Sequence, residues 1–251
     1  MLNPQVITWL DALEQRHLAN LTRSELTRAL RALSSCYIER REKLASGNAL
    51  EGAGKRAAFA LFYGPLHFLT IAEILRAVDA SARPPATIHD LGCGTGVGGA
   101  AWALACDGRP AVTGVDRSAW TIAEANWTYS RLAVRGRAKA GDAVRDFPRG
   151  ASPDTAVMLA YTANELPPDQ RSLLLEKVSD AVGRGARLVV VEPIAKRDRP
   201  WWPEWAERLT GLGAREDEWR FPASLPTTTR QIAKSAGLNP RELTARTLIR
   251  L

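Results

Sequence analysis

The residues that decide the fold are His89-Asp90-Leu91-Gly92-Cys93-Gly94-Thr95-Gly96. The stretch completes the apolar run 86–91, a predicted strand, and leads into residues 99–106, a predicted helix of small residues. Glycines at such a junction let the backbone approach a ligand closely, and the first turn of a helix presents free N–H groups. The sequence therefore predicts a ligand site where this strand gives way to the helix.

Short apolar runs alternate with helical stretches from residue 86 onward. The predicted strands are 86–91, 111–115, 137–140, 155–160 and 187–191, and the predicted helices between them are 99–106, 119–135 and 168–182. A helix over 227–237, capped at Thr227 or Thr228, and a strand over 242–251 follow. Strands alternating with helices predict an α/β fold with a parallel sheet covered on both faces.

The first 80 residues are predicted to be helical. Helices are expected over 6–17 and 66–78, and Thr22-Arg-Ser-Glu25 forms a capping box at the start of another. Residues 45–55 predict a loop or a broken helix because they include three glycines. The polar, proline-bearing stretch 81–85 marks a boundary. We therefore predict a helical N-terminal extension over 1–82 and a ligand-binding domain over 83–251.

Composition and charge limit the class of protein. The chain has 251 residues, 45% of them hydrophobic, which is close to the average of globular proteins. It shows no signal peptide or membrane-spanning run, so no membrane partner is expected. Cys36, Cys93 and Cys106 are widely spaced and make no metal-binding pattern, which favours a reducing cytoplasm. The net charge of +7 is compatible with a polyanionic partner without requiring one.

Three aspartates follow three successive predicted strands. Asp90 precedes Gly92 by two residues, and Asp116 and Asp142 follow at equal intervals of 26 residues. A carboxylate at Asp90 would repel a pyrophosphate and attract a ligand ammonium, while one at Asp116 can accept both hydroxyls of a ribose. The run Gly94–Gly99 also fits G-x-G-x-x-G, so an NAD-dependent oxidoreductase is the competing class. The chain lacks the Tyr-x-x-x-Lys pattern expected of that class.

The glycine loop resembles motif I of the class I S-adenosylmethionine-dependent methyltransferases, an acidic residue followed by G-x-G-x-G. The resemblance implies a Rossmann-like sheet, S-adenosylmethionine as the cofactor and an acidic residue, Asp142, near the adenine amino group. The implied cofactor-binding residues are Asp90, Gly92, Cys93, Gly94, Gly96, Asp116, Arg117, Asp142, Ala143 and Tyr161. Family members usually end in a strand hairpin, whereas only one clear strand follows the last predicted helix here. The missing strand is either in residues 216–221 or absent.

The loop after the fourth strand faces the transferred methyl group in this family. Tyr161, Asn164 and Glu165 are therefore candidate catalytic residues, with Asn164 bonding the acceptor and Glu165 acting as a base or orienting group. The alternative is that Asn164 caps the following helix while Glu165 bonds backbone. His67 is a further candidate base because histidine titrates near neutrality, unless it is simply packed.

A narrower resemblance concerns the methyltransferase-like proteins of the mitochondrial small ribosomal subunit and their bacterial relatives. The matching pieces are Leu21–Leu26, Phe62–His67, Tyr161–Pro167 and Leu188–Pro193. This resemblance implies an RNA acceptor, ribosomal in origin, with the small subunit as a partner. Several members carry a cysteine cluster after the fifth strand, whereas this chain has no cysteine after Cys106. A metal centre is therefore not expected, and the implied ribosomal role is weaker.

A tryptophan-rich, basic segment occupies residues 196–221. Trp201, Trp202, Trp205 and Trp219 lie among the basic residues Lys196, Arg197, Arg199, Arg208, Arg215 and Arg220. These side chains would suit stacking on unpaired bases, an apolar lid over a small acceptor, or a core-facing stripe that includes Leu209.

Three functions are accordingly open. The first is a methyltransferase acting on RNA, and the second is a small-molecule N- or O-methyltransferase with a tryptophan lid. The third is a non-catalytic ribosome-assembly factor on the same fold. The sequence leaves the acceptor atom and the oligomeric state open.

Overall fold

The computed structural model describes residues 3–39, 50–194 and 200–251, with side chains described for all of these except 36–39. The side chain of Cys36, residues 45–49 of the predicted loop 45–55, and the basic residues Lys196, Arg197 and Arg199 therefore lie outside the description. The helices are α1 (Pro4–Leu18), α2 (Arg23–Glu39), α3 (Ala53–Ala58), α4 (Gly64–Ala77), α5 (Val97–Ala105), α6 (Ala119–Arg131), α7 (Pro168–Gly183), α8 (Trp202–Thr210) and α9 (Thr227–Ser235). A π-helical turn, Phe59–Tyr63, joins α3 to α4, and a short 3-10 turn spans Ala163–Glu165.

Seven strands form one mixed sheet in the order β3-β2-β1-β4-β5-β7-β6. They are β1 (Thr87–Leu91), β2 (Ala111–Asp116), β3 (Gly136–Ala140), β4 (Thr155–Ala160), β5 (Arg187–Glu192), β6 (Arg215–Pro222) and β7 (Glu242–Arg250). The first five strands pair in parallel, and β7 runs antiparallel to both β5 and β6. The predicted α/β fold is confirmed, and β6 supplies the strand that was sought in residues 216–221.

The strand order reverses between β1 and β4, which places the ligand site. β1 lies between β2 and β4, so the loop after β1 leaves the sheet with the loops after β2 and β4 on either side of it. Ligands bind in the crevice beyond the carboxyl ends of the strands at such a reversal. Asp90 pairs in register with Gly114 and Met158, which brings the ends of the three strands to one edge.

The N-terminal helices pack into the same core as the sheet. The capping box forms, because Thr22 and Glu25 each accept a hydrogen bond from the other's backbone N–H. Helix α1 reaches α6 through Glu124, a buried carboxylate that bonds Arg16 at 3.1 Å and His17 at 2.7 Å. The helical N-terminal region is thus observed, while the boundary between residues 82 and 83 stays a prediction.

The helical run Ala53–Ala77 is long and apolar enough to span a membrane. Its most apolar 18-residue window has a mean hydropathy of 1.5, and 72% of that window is buried inside the protein. Burial on this scale is what a core helix shows, so its apolar character is explained by packing within this chain.

The tryptophans of α8 belong to the core, which corrects two of the expectations for this segment. Trp201, Trp202 and Trp205 are at most 8% exposed and belong with Leu209 to one buried cluster, in which α8 packs against α7, β6 and β7. Buried rings in this position can neither stack on unpaired bases nor cover the cavity described below. Trp219 is half-buried on β6, where its indole N–H donates to Thr247 and its ring stacks on Phe221.

The predicted cap of α9 is also wrong. Pro226 occupies the N-cap position without a side-chain bond, and the Thr228 hydroxyl donates to Glu14 of α1 instead. A tertiary contact has therefore taken the side chain that the sequence pattern assigned to local capping.

Candidate active site

A cavity of about 670 Å³ opens at the carboxyl ends of the parallel strands. It is lined by the glycine loop, the ends of β2 and β5, the loops after β3 and β4, and one side of the helical segment 59–71. The cavity brings together nearly all of the residues that the sequence predicted for the site. These are His67, Asp90, Gly92, Cys93, Gly94, Asp116, Arg117, Asp142, Ala143, Tyr161, Asn164 and Glu165. Gly96 supports the loop from outside the lining.

Gly92 lies at the crossing of the glycine loop with the loop after β4. It has φ +69°, and a Cβ at this position would come within 2.6 Å of both terminal atoms of the Thr162 side chain. The Thr162 hydroxyl donates to the carbonyl oxygen of Leu91 at 2.9 Å. Only glycine fits both the backbone conformation and this close approach, so the two loops are held together at the cavity floor.

The ring of Tyr129, on α6, supports the glycine loop from below. A Cβ at Gly96 would lie 2.8 Å from this ring, and one at Gly136 would lie 2.6 Å from it. A Cβ at Gly114 would lie 2.9 Å from the Tyr129 hydroxyl oxygen and equally close to the Cys93 sulfur. Three glycines distant in sequence therefore make room for one buried ring.

Asp90 is buried at the end of β1, directly under the first turn of α5. Its Oδ2 accepts the backbone N–H of Gly99 at 2.7 Å. Burial raises the pKa of Asp90 to about 7, against the opposing effect of that hydrogen bond, and the nearby charge of Asp116 adds to the rise. A cation brought into the cavity would favour the ionised form, as expected for a carboxylate that faces a ligand ammonium.

Asp116 connects the end of β2 to the glycine loop. One carboxylate oxygen accepts the N–H of Gly94 at 2.9 Å, and the other accepts the N–H of Ser118 and the hydroxyl of Thr121. The carboxylate is thus fixed in orientation at the cavity wall. Its predicted contact with ribose hydroxyls stays a prediction.

Asp142 occupies a tight turn after β3. Its Oδ1 accepts the backbone N–H groups of Val144 and Arg145. Burial acts to raise the pKa of Asp142, but these hydrogen bonds and the charges of Arg117 and Arg145 outweigh it and hold the pKa below the usual range. Asp142 is therefore ionised at neutral pH, on the same side of the cavity as Asp116.

The loop after β4 is held by hydrogen bonds at several of its backbone groups. The N–H of Asn164 donates to Glu192 Oε1 at 3.1 Å, and the N–H of Tyr161 donates to the Val191 carbonyl at 2.8 Å. The Arg171 guanidinium donates to the carbonyls of Ala163 and Leu166, which flank Asn164 and Glu165.

The expected alternative role of Asn164 as a helix cap is wrong, because the N-cap of α7 is Pro167. The loop is therefore positioned from β5 and α7, which leaves the Asn164 and Glu165 side chains at the cavity.

The acid–base properties of the two candidate bases differ from their ordinary values. Removal from water raises the pKa of Glu165 to about 7, with Asp116 adding to the rise and Arg117 opposing it. Burial lowers the pKa of His67 to about 3, so its imidazole is neutral at pH 7. The expectation that His67 titrates near neutrality is corrected, and Glu165 has the pKa suited to proton transfer there.

Glu192 and Phe59 were missed by sequence reasoning. Glu192 is fully buried at the end of β5 and lines the cavity. Its signal was available, because it ends an apolar strand just as Asp116 does. Phe59 and Tyr63 line the cavity from the π-helical turn, where ordinary helical spacing does not apply.

Comparison with known proteins identifies the class of this site. Residues 88–185, somewhat under half of the chain, match the family model for a methyltransferase domain. No curated protein matches the chain.

Solved structures share the fold. Mitomycin 7-O-methyltransferase MmcR superposes with a TM-score of 0.54 at 17% identity, over 99% of this chain and 76% of that one. A putative O-methyltransferase from Nostoc punctiforme PCC 73102 has a TM-score of 0.52 at 15% identity, with coverages of 88% and 72%. An O-methyltransferase family protein from Burkholderia thailandensis has a TM-score of 0.53 at 17% identity, with coverages of 82% and 62%.

The fold and the matched domain are those of a class I S-adenosylmethionine-dependent methyltransferase, and the cofactor is S-adenosylmethionine. The site fits this cofactor: the glycine loop gives a close approach, and carboxylates face a ligand that carries two cations and a ribose. The narrower resemblance to the mitochondrial ribosomal family is not confirmed by these matches and stays a prediction.

Proposed function

We propose that this S-adenosylmethionine-dependent methyltransferase acts on a small organic acceptor that binds inside the cavity. The observation that carries the proposal is the charge of the lining. The lining carboxylates are Asp90, Asp116, Asp142, Glu165, Glu192 and Glu242, and Arg117 is the only side chain with a permanent positive charge among the described lining residues. An RNA acceptor would bring phosphates toward this negative field, which opposes its entry.

The volume of the cavity also supports a small acceptor. About 670 Å³ lies within the range of sites that enclose a drug-sized ligand, and the lining combines aromatic side chains with a few polar groups. Part of this space would hold the cofactor and the rest the acceptor. The apolar lining would exclude water from the reacting atoms.

The chain's residues have distinct roles in this proposal. S-adenosylmethionine supplies an electrophilic methyl group on a sulfonium. Asp90, Asp116 and Asp142 would hold it by its ammonium, ribose and adenine, and the fixed loop after β4 would align the acceptor for in-line attack. Glu165, whose pKa is raised to about 7, would take the proton that the acceptor loses.

A methyl-transfer assay on both acceptor classes tests the proposal. Purified protein is incubated with S-adenosylmethionine and either a library of small organic molecules or ribosomal RNA, and S-adenosylhomocysteine is quantified. We expect product with small acceptors only. Methylation of RNA alone would contradict the proposal and favour the ribosomal acceptor. In that case the logarithm of the RNA-binding constant should fall linearly with the logarithm of the salt concentration.

We do not propose the non-catalytic assembly factor, because the matched domain and the assembled cavity are those of an enzyme. The cytoplasmic compartment stays a prediction.

A further inference from the structure

Four aromatic side chains form a continuous wall on one side of the cavity. Phe59 and Tyr63 stack with centroids 5.9 Å apart, Tyr63 lies 5.8 Å from His67, and His67 stacks on Tyr161 at 3.9 Å. All four residues line the cavity, three from one helical segment and one from the loop after β4. Ring faces of this kind carry partial negative charge and attract cations.

Carboxylates line the same cavity as this wall, and Glu192 is close enough to Tyr161 to add to the rise that burial causes in the pKa of its hydroxyl. Glu165 lies in the loop after β4, Glu192 is buried at the end of β5, and Glu242 begins β7. Arg171 lies near Glu192, and Arg220 pairs with Glu242 at 3.3 Å, but neither arginine lines the cavity. Among the described lining residues, Arg117 carries the only permanent positive charge, and it lies near Glu165.

We infer that the methyl acceptor carries a basic nitrogen on an aromatic or apolar body. Ring faces with neighbouring carboxylates favour a cation, accept a neutral hydroxyl less well and repel a carboxylate or phosphate. S-adenosylmethionine and Arg117 together carry a charge of about +2, so the lining with its six carboxyl groups stays net negative even where Asp90 and Glu165 are partly protonated. The inference rests on the proposed small-molecule function and names the substrate class of that site.

The chemistry of such an acceptor balances with the residues present. Ionised Glu165 takes one proton from the bound ammonium, which gives a neutral amine and a carboxylic acid. The nitrogen lone pair forms the new N–C bond as the S–CH3 bond breaks, and the electron pair of that bond stays on sulfur. The products are a methylammonium compound and S-adenosylhomocysteine.

Binding of three matched probes tests the inference without knowledge of the natural acceptor. Benzylamine, benzyl alcohol and benzoate share one ring and differ in a single group. Each is titrated by calorimetry into the protein saturated with S-adenosylhomocysteine. We expect benzylamine to bind at least about tenfold more tightly than benzyl alcohol, and benzoate to bind most weakly.

Variants locate the source of this preference. Glu165→Gln should reduce the ratio of the affinities for benzylamine and benzyl alcohol several-fold. Glu204→Gln removes an exposed carboxylate on α8 outside the lining and should leave this affinity ratio unchanged. An amine that binds no better than the alcohol, including no detectable binding of either probe, overturns the inference.

The methyl-transfer assay separates this failure from a failure of the proposed function. Methylation of hydroxyl or carboxyl compounds in place of amines would overturn the amine acceptor and leave the small-molecule function standing. Methylation of RNA alone would overturn both.

Discussion

The rings of His67 and Tyr161 stack almost in parallel, with their centroids 3.9 Å apart and 22° between their planes. His67 belongs to α4, and Tyr161, at φ +60°, belongs to the loop after β4. This contact joins two elements far apart in sequence at the wall of the cavity. Because burial lowers the pKa of His67 to about 3, the imidazole in the stack is neutral.

Replacement of His67 by phenylalanine should stabilise the protein increasingly as the pH falls. An unfolded chain protonates His67 near its ordinary pKa of 6.5, whereas the folded protein does so only near 3. The neutral His67 therefore contributes fully to the free energy of unfolding above pH 6.5, and this contribution is lost as the pH falls toward 3. The variant His67→Phe has no group that titrates here and shows no such loss. Urea unfolding of both proteins at about pH 7.5 and about pH 5 measures the difference. A difference in unfolding free energy that is independent of pH would show that the ring is not buried as a neutral group.

Glu165→Gln should raise stability while lowering methyl transfer. In the folded protein the pKa of Glu165 is about 7, above the ordinary value of 4.5. Its contribution to the free energy of unfolding is therefore intact below pH 4.5 and is lost as the pH rises through 7. The side chain is partly exposed, so we expect a gain on the order of 1 kcal/mol at about pH 8 and none at about pH 4. Thermal unfolding at both pH values tests this, with Glu204→Gln as the matched control. Equal stability of variant and parent at the higher pH would refute the raised pKa.

The packing around Tyr129 predicts a position-specific effect of alanine. In Gly136→Ala the new methyl would lie 2.6 Å from the Tyr129 ring, so ring or strand must shift. We expect a loss of about 1–3 kcal/mol in the free energy of unfolding and weaker binding of S-adenosylmethionine, because the ring supports the glycine loop. Gly183→Ala, whose Cβ meets nothing within 4 Å, serves as the control and should be neutral or slightly stabilising.

Asp116→Asn should lower the affinity for S-adenosylmethionine by at least about tenfold, because it removes the charge of a carboxylate that accepts three hydrogen bonds at the cavity wall. Calorimetric titration with S-adenosylmethionine measures the affinity, and NAD should give no heat with either protein. Asp180→Asn, exposed on α7, should bind like the parent. Undiminished affinity in Asp116→Asn would place the ribose elsewhere.

Arg171→Met should loosen the loop that carries Asn164 and Glu165. The guanidinium donates to two carbonyls of this loop and lies 5.0 Å from the centre of the Trp201 ring. We expect a loss of about 2 kcal/mol in stability and a fall in kcat that exceeds any change in cofactor affinity. Arg184→Met removes an exposed pair with Asp180 on the same helix and should cost less than about 0.5 kcal/mol. Equal effects of the two variants would argue against a positioning role for Arg171.

The acidic ends of the parallel strands could be predicted because a charged residue that ends an apolar run is a local signal. Asp90 and Asp116 carry it, and the cavity contains both. Glu192 carries the same signal, but the predicted fifth strand stopped one residue earlier, at Val191, and the carboxylate was not considered.

The tryptophans of α8 could not be assigned by the same means. Trp201 and Trp205 among arginines fit a core stripe, a lid or a base-stacking surface equally well in sequence. The packing of α7, β6 and β7 against α8 buries these rings, and it depends on the tertiary fold and not on local sequence. The pKa values of His67 and Glu165 likewise depend on burial that only the folded protein supplies.

The π-helical turn Phe59–Tyr63 has a consequence for how this enzyme can be re-engineered. Phe59 and Tyr63 of this turn line the cavity next to His67 of α4, while the groups that would hold the cofactor come from the sheet loops. In the proposed function, the aromatic part of the acceptor site is therefore encoded by a few neighbouring codons. A library randomised at Phe59, Tyr63 and Leu66 would sample new acceptor shapes while the loops that would bind the cofactor keep their sequence. Acceptor selectivity could then change, in evolution or by selection, without changes to those loops.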